Sequence, residues 1–162
     1  MRIFQYQEEY IDFLKQPENR NLLVKNDLDT LFRKIYGMYD RNPLSYWDEC
    51  LQYVTELLYD NGFLVENYIS RTYPDQFHYV NRETIYLPKC KQIERFSFYE
   101  NKHIKEVKAP NALVVGDSAF EGCENLHKVY LPNVTELGNN VFKFCGLLTL
   151  DNIKLPQNIV IT

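Results

Sequence analysis

The 162-residue sequence lacks the usual signatures of catalysis and of membrane insertion. It contains no GxGxxG, GxxxxGK[S/T], HExxH or GxSxG motif, and its 6 glycines leave little material for a phosphate-binding loop. No stretch approaches the roughly 20 apolar residues of a membrane-spanning helix, and no apolar run of a signal peptide is present. We therefore expect a soluble, cytoplasmic, non-enzymatic protein without a cofactor.

The cysteine content and the charge give no support for a metal-binding, nucleic-acid-binding or membrane-binding protein. The 4 cysteines form no CxxC pair and have no histidine cluster beside them, so free buried thiols are expected rather than a metal site. A net charge of -4 offers no general attraction to nucleic acid or to anionic membranes. Residues 1–80 carry 8 Lys and Arg against 13 Asp and Glu, whereas residues 81–162 carry 10 against 9. This shift suggests two regions with different solvated faces.

A repeat is present in the second half of the chain. The strand-like tetrapeptides IYLP, VKAP, VYLP and IKLP place proline at positions 88, 110, 132 and 156, in steps of 22, 22 and 24 residues. Three further apolar rows keep the 22-residue step: Ile93, Val115 and Leu137; Phe98, Phe120 and Phe142; Ile104, Leu126 and Leu148. A strand-bearing repeat of this length predicts a solenoid in which successive coils stack like residue on like residue.

The repeat resembles the BspA-type (Treponema pallidum-type) leucine-rich repeat, whose consensus reads roughly IxxIGxxAFxxCxxLxxIxLP. The match is densest between VGDSAFEGCENL, residues 115–126, and LGNNVFKFCGLL, residues 137–148, and it covers residues 82–158. The resemblance implies a leucine-rich-repeat fold and a role in binding other proteins. Such repeats are known from bacterial surface proteins, protist proteins and bacteriophage or other mobile-element proteins.

The glycines and cysteines of this match recur one coil apart: Gly116 with Gly138, and Cys123 with Cys145. Glycine here predicts either a positive φ or a close approach of a neighbouring coil. The cysteines are expected to fill small apolar slots and to donate weakly to loop carbonyls. The first unit departs from the pattern at Glu94 and Asn101, and the fourth breaks off after its strand, as terminal repeats of a solenoid often do.

The first 80 residues have a helical period instead. Three helical faces are indicated: Tyr6, Tyr10, Phe13 and Leu14; Leu28, Leu31, Phe32, Ile35, Tyr36 and Tyr39; Trp47, Cys50, Leu51, Val54 and Leu58. We predict an α+β protein in which residues 1–80 form a small helical bundle, capping a solenoid of about 3.5 coils over residues 81–162. Residues 63–81 are expected to be an extended connector. The bundle is either a cap alone or a recognition surface as well.

Alternation along the strands predicts an exposed stripe on the solenoid. If Ile85, Val107, Val129 and Ile153 point inward, the following residues point outward: Tyr86, Lys108, Tyr130 and Lys154. A parallel row contains Thr84, Glu106, Lys128 and Asn152. Tyrosine offers a wide, stiff contact area with a polar tip, which suits a protein-binding face. We predict that Tyr86 and Tyr130 anchor a partner, flanked by Lys108, Lys154, Glu106 and Lys128; the alternative is an ordinary solvated sheet face.

The leading hypothesis is therefore a non-catalytic protein-protein interaction module. The alternatives are a small phage or mobile-element protein that inhibits a host enzyme, and a secreted bacterial surface adhesin fragment. The final residues QNIVIT add no polar helix, so a C-terminal edge with Ile159, Val160 and Ile161 is expected to allow homo-oligomer formation.

Overall fold

The computed structural model describes residue 16, residues 47–60 and residues 69–162. One predicted helix is present as α1, Trp47–Asp60. Val54 and Leu58, one helical turn apart, are fully buried in the same core cluster as the solenoid residues. The two other predicted helices lie outside the described residues, and the bundle remains a prediction.

The described residues after α1 form seven short strands: β1 Thr84–Tyr86, β2 Gln92–Ile93, β3 Glu106–Lys108, β4 Val114–Val115, β5 Lys128–Tyr130, β6 Glu136–Leu137 and β7 Ile153–Lys154. The odd-numbered strands form one parallel sheet in the order β1-β3-β5-β7, which we call the first sheet. The even-numbered strands form a second parallel sheet, β2-β4-β6. The first three coils each give one strand to each sheet, and β7 adds a fourth strand to the first sheet, so the described residues form a β-solenoid of about three turns.

The strand register confirms the repeat. Ile85 pairs with Val107, Val107 with Val129, and Val129 with Ile153. The first three of these side chains are at most 1% exposed, and Ile153 in the last strand is partly buried. Because alternate residues of a strand point to opposite faces, this inward row fixes which residues of the first sheet reach the surface.

The phenylalanine row stacks through the interior as predicted and extends one ring further. Phe98, Phe120 and Phe142 follow the 22-residue step, and their rings lie nearly parallel in adjacent coils. Phe77 adds a fourth ring below Phe98, although it is 21 residues away in sequence. The altered step explains why the sequence pattern did not include it.

The stacked region includes residues 70–80, which precede the start at residue 81 that the sequence suggested. Arg71 forms a parallel bridge with Gln92, and the Asp75 amide donates to Phe96 O at 2.9 Å. The described residues of the expected extended connector, 69–80, therefore make a partial coil with a turn over Pro74–Tyr79. Few of its residues match the consensus, so the backbone pairing is the main sign of the coil.

Helix α1 contacts this partial coil. Gln52 Nε2 donates to Asp75 O at 2.9 Å, and Gln76 Nε2 donates to Thr55 Oγ1 at 3.2 Å. The Tyr59 ring meets Phe77 edge to face, with ring centroids 6.0 Å apart. The helix thus packs at the N-terminal end of the phenylalanine row.

The last coil also departs from the expectation. The step from Pro132 to Pro156 is 24 residues instead of 22. The last coil accommodates the two additional residues with a 3-10 helix, Leu150–Asn152, just before β7. The chain does not break off after β7, because Asn140 N donates to Thr162 O at 3.2 Å. Residues 157–162 therefore return along the side of the second sheet and begin a further coil.

The glycines of the repeat serve close approach rather than a left-handed turn. A Cβ on Gly116 would lie 2.4 Å from Arg95 N, and one on Gly138 would lie 2.6 Å from Asp117 N. Neither glycine has a positive φ, whereas Gly122 does, at 76°. Of the two explanations offered by the sequence, only the contact with the preceding coil applies to Gly116 and Gly138.

Candidate functional site

The predicted stripe on the first sheet is in register. Tyr86 lies opposite Lys108, Lys108 opposite Tyr130, and Tyr130 opposite Lys154. All four side chains are exposed, and the two tyrosines retain 48% and 42% of their accessible surface. The geometry of the stripe is therefore confirmed, and its role in binding remains a prediction.

The parallel row is only partly regular. Thr84 pairs with Glu106 and Glu106 with Lys128, as expected. Asn152 belongs to the 3-10 helix instead of continuing the strand row. The last coil thus has a 3-10 helix where the fourth position of this row would lie.

The 3-10 helix borders a shallow depression of about 410 Å³ on the outer face of the first sheet. Its lining residues come from β3, β5, β7 and the 3-10 helix: Glu106, Lys108, Lys128, Val129, Tyr130, Asp151, Asn152, Ile153 and Lys154. Five of the six predicted partner-binding residues therefore share one concave surface. Tyr86, on β1, is outside it and extends the face beyond Lys108.

Two of the three lysines that line the depression lie near one carboxylate. Glu106 Oε1 lies 3.3 Å from Lys108 Nζ and 3.7 Å from Lys128 Nζ. This oxygen is buried and accepts no hydrogen bond from the residues that the structure describes. Lys154 has no ion pair with any described residue. With Asp151 included, the lining carries three lysines and two acidic residues.

Sequence reasoning did not identify Asp151 as part of this surface. The available signal was the 24-residue step, which indicated additional residues directly before the last strand. Leu150, at the start of the same 3-10 helix, is 79% exposed and stands at the margin of the face. An apolar side chain this exposed adds contact area beside the polar lining.

Cys123 and Cys145 have a structural role, as the sequence predicted, and the side chain of Cys50 lies outside the described residues. One buried donor per coil reaches the carbonyl oxygen of a phenylalanine in the preceding coil: Asn101 Nδ2 to Phe77 O at 2.6 Å, Cys123 Sγ to Phe98 O at 3.1 Å, and Cys145 Sγ to Phe120 O at 3.0 Å. The asparagine that replaces cysteine in the first unit thus keeps the same hydrogen bond. These donors satisfy carbonyls that would otherwise be buried without a partner.

Burial also makes these thiols unreactive. Desolvation raises the pKa of Cys90 to about 12 and that of Cys145 to about 11, and it raises the pKa of Cys123 as well. Because the thiolate is the nucleophile and the metal ligand, neutral buried thiols are poor at both tasks. Within the described ranges, no group of three or more His, Cys, Asp or Glu side chains could hold a metal ion. No helix there is long and apolar enough to cross a membrane.

Comparison with protein-family models matches residues 70–162 to the BspA type leucine rich repeat region, in six copies. The match includes the partial coil that the sequence pattern alone did not reveal. Comparisons with curated proteins and with solved structures found no match. Leucine-rich repeats generally act as interaction scaffolds, because stacked coils present an extended surface rather than a catalytic cleft. The match covers more than half of the chain and agrees with the stacked rows and register, so the chain belongs to the BspA-type leucine-rich repeat family.

Proposed function

We propose that the protein is a non-catalytic interaction module that binds another protein through the outer face of its first sheet. The observation that carries this proposal is the in-register stripe Tyr86, Lys108, Tyr130 and Lys154. Glu106 and Lys128, in the adjacent row, complete the binding face. The backbone of this face is already paired within the sheet, so side chains provide the specific contacts.

The two tyrosines are suited to anchor a partner. They lie two strands apart, about 9.6 Å, with Lys108 between them. Both have more than two fifths of their surface exposed. Burying a large ring against a partner removes apolar area from water, while the phenol oxygen can still form a hydrogen bond. Tyrosine side chains with such exposure are enriched where proteins bind one another.

The organisation of the chain follows from the same proposal. The residues before the partial coil serve as a helical cap domain and residues 70–162 as the binding solenoid, in the cytoplasm. The contacts of Gln52 and Tyr59 with the partial coil support a capping role for α1. A cap is physically useful because the first coil would otherwise present apolar residues and unpaired strand edges to water.

The test is affinity capture from host-cell lysate with identification of bound proteins by mass spectrometry. We expect a partner that is captured by the wild type and lost with the Tyr86→Ala/Tyr130→Ala variant. The matched control is Tyr79→Ala, which removes a tyrosine that is 58% exposed but lies in a turn outside the first sheet. Equal capture by all three proteins, each folded by circular dichroism, would exclude the proposed face.

A further inference from the structure

We infer that the depression beside Tyr130 binds an acidic, extended peptide segment of the partner. This inference rests on the proposed function and specifies the chemistry of the partner at that face. It concerns the concave part of the face, formed by β3, β5, β7 and the 3-10 helix, and does not involve Tyr86.

The charges of the lining favour an acidic ligand. Lys108, Lys128 and Lys154 face Glu106 and Asp151, which leaves the depression with one net positive charge in a chain of net charge -4. Glu106 is close to two of the lysines, and Lys154 has no ion pair among the described residues. A carboxylate near Lys154 would therefore gain an attraction that the protein itself does not already satisfy.

Glu106 also positions the other two lysines. Both ammonium groups lie within 4 Å of the same buried oxygen, which draws them together over the depression. A lysine ammonium has three donors, so each retains donors for a ligand carboxylate after contacting Glu106. Two lysines held in this way lose less side-chain entropy on binding than two free lysines would.

The centre of the depression is less polar. Tyr130 lies between Lys108 and Lys154 in the stripe, and Ile153 is only partly buried beside it. Lys108 and Lys154 stand on strands two steps apart, about 9.6 Å, which is close to the length of three residues of an extended peptide. The arrangement therefore fits a peptide whose acidic side chains flank an apolar one that packs on Tyr130.

The test uses a display library of random 12-residue peptides selected on the full chain. We expect the selected peptides to be enriched in Asp and Glu relative to the unselected library. The Lys128→Glu/Lys154→Glu variant should bind those peptides at least about tenfold more weakly in fluorescence anisotropy, and added NaCl should weaken wild-type binding. The matched control, Lys89→Glu/Lys91→Glu, makes the same charge change at exposed lysines outside the first sheet and should bind like wild type.

Three results would overturn the inference: selection of no peptide, selection of apolar peptides without acidic enrichment, or equal affinity for the Lys128→Glu/Lys154→Glu variant. Tight binding of a fluorescein-labelled 20-nucleotide oligothymidine that depends on Lys128 and Lys154 would also overturn it, in favour of nucleic acid. If lysate capture depends on Tyr86 and Tyr130 while the library shows no acidic preference, only this inference fails. If capture is unaffected by the tyrosines, the proposed function fails as well.

Discussion

Phe77 and Phe98 stack face to face in adjacent coils, with ring centroids 4.5 Å apart and ring planes inclined by 18°. The row continues through Phe120 and Phe142, at centroid distances of 4.8 Å and 5.8 Å. At its other end, the Tyr59 ring of α1 meets Phe77 edge to face. One continuous row of aromatic rings therefore links the helix to the last coil.

Replacing a ring inside this row should be strongly destabilising. Phe98 is fully buried between two other rings, so Phe98→Ala is expected to lower the free energy of unfolding by about 3 to 5 kcal/mol. Phe144→Ala is the control, because that side chain is 68% exposed and should matter little. Urea denaturation followed by circular dichroism measures both, and similar losses in the two variants would contradict the role of the row.

Restoring the family's cysteine at position 101 should destabilise the protein. Asn101 Nδ2 donates to Phe77 O and Val80 O, and its Oδ1 accepts from the amides of His103 and Ile104. A cysteine can replace only the hydrogen bond to Phe77 O. The Asn101→Cys substitution is therefore expected to lower the free energy of unfolding by about 1 to 3 kcal/mol. Cys123→Ser, which keeps a donor at the equivalent place, is the comparison; a gain in stability for Asn101→Cys would refute this explanation.

Two glycines offer a matched pair of substitutions. Gly116→Ala would place a Cβ 2.4 Å from the backbone nitrogen of Arg95, whereas Gly146→Ala meets no atom within 4 Å. We expect Gly116→Ala to lower the free energy of unfolding by at least about 1 to 3 kcal/mol, because the adjacent coil must move away from the added Cβ. The second should change stability by less than about 0.5 kcal/mol. Thermal denaturation of the two proteins side by side distinguishes them, and equal stability would contradict the close packing.

The buried thiols predict a loss of stability at alkaline pH. Burial raises the pKa of Cys90 from 9.0 to about 12 and that of Cys145 to about 11. Above pH 9 the unfolded chain loses thiol protons that the folded chain keeps, so the stabilisation is complete below pH 9 and decreases as the pH rises toward 11. A thiol that is ionised in the unfolded chain and still protonated in the folded chain lowers the free energy of unfolding by about 1.4 kcal/mol for each pH unit.

Urea denaturation between pH 8 and pH 10.5 measures this slope. The control is Cys90→Ala, which retains the same exposed lysines and tyrosines. Its free energy of unfolding should fall less steeply with pH than that of the wild type, and the difference in slope should approach about 1.4 kcal/mol per pH unit only above about pH 10. Identical slopes for wild type and variant would show that Cys90 ionises as readily in the folded state as in the unfolded one.

The C-terminal edge predicts self-association of the 162-residue chain, and we propose a second copy as its partner. β7 is an outer strand of the first sheet, and the last coil exposes Phe144, Leu147, Leu150 and Val160 at 56% or more. Unpaired strand edges beside apolar side chains favour pairing with another chain. Sedimentation equilibrium should show a mass that rises with concentration for wild type and for Leu113→Ser, but less for Leu147→Ser/Val160→Ser. A monomeric mass at every concentration would refute the prediction.

Much of the solenoid could be predicted because its rows repeat. A constant 22-residue step brings like residues together, so the strands, the inward valines and isoleucines and the Tyr-Lys stripe follow from spacing alone. The buried face of α1 likewise follows from helical spacing, since Val54 and Leu58 lie one turn apart.

The parts that were not foreseen depend on contacts between coils. Phe77 joins the ring row at a step of 21 residues, and residues 70–80 stack through backbone pairing although few of their side chains match the consensus. Sequence spacing also could not show that Asp151, in the 3-10 helix, lines the depression, or that Tyr86 lies outside it. These features depend on how neighbouring coils pack against one another, which the sequence of a single repeat does not determine.

The 3-10 helix at Leu150–Asn152 has a consequence for how such a surface diversifies. It takes up two additional residues while Val129 and Ile153 still pair in the same sheet. Length can therefore vary at this junction without a change in the buried rows. One wall of the depression is thus decoupled from the hydrophobic core, which makes it a natural place for evolution, or a protein engineer grafting a loop, to alter specificity while the scaffold stays intact.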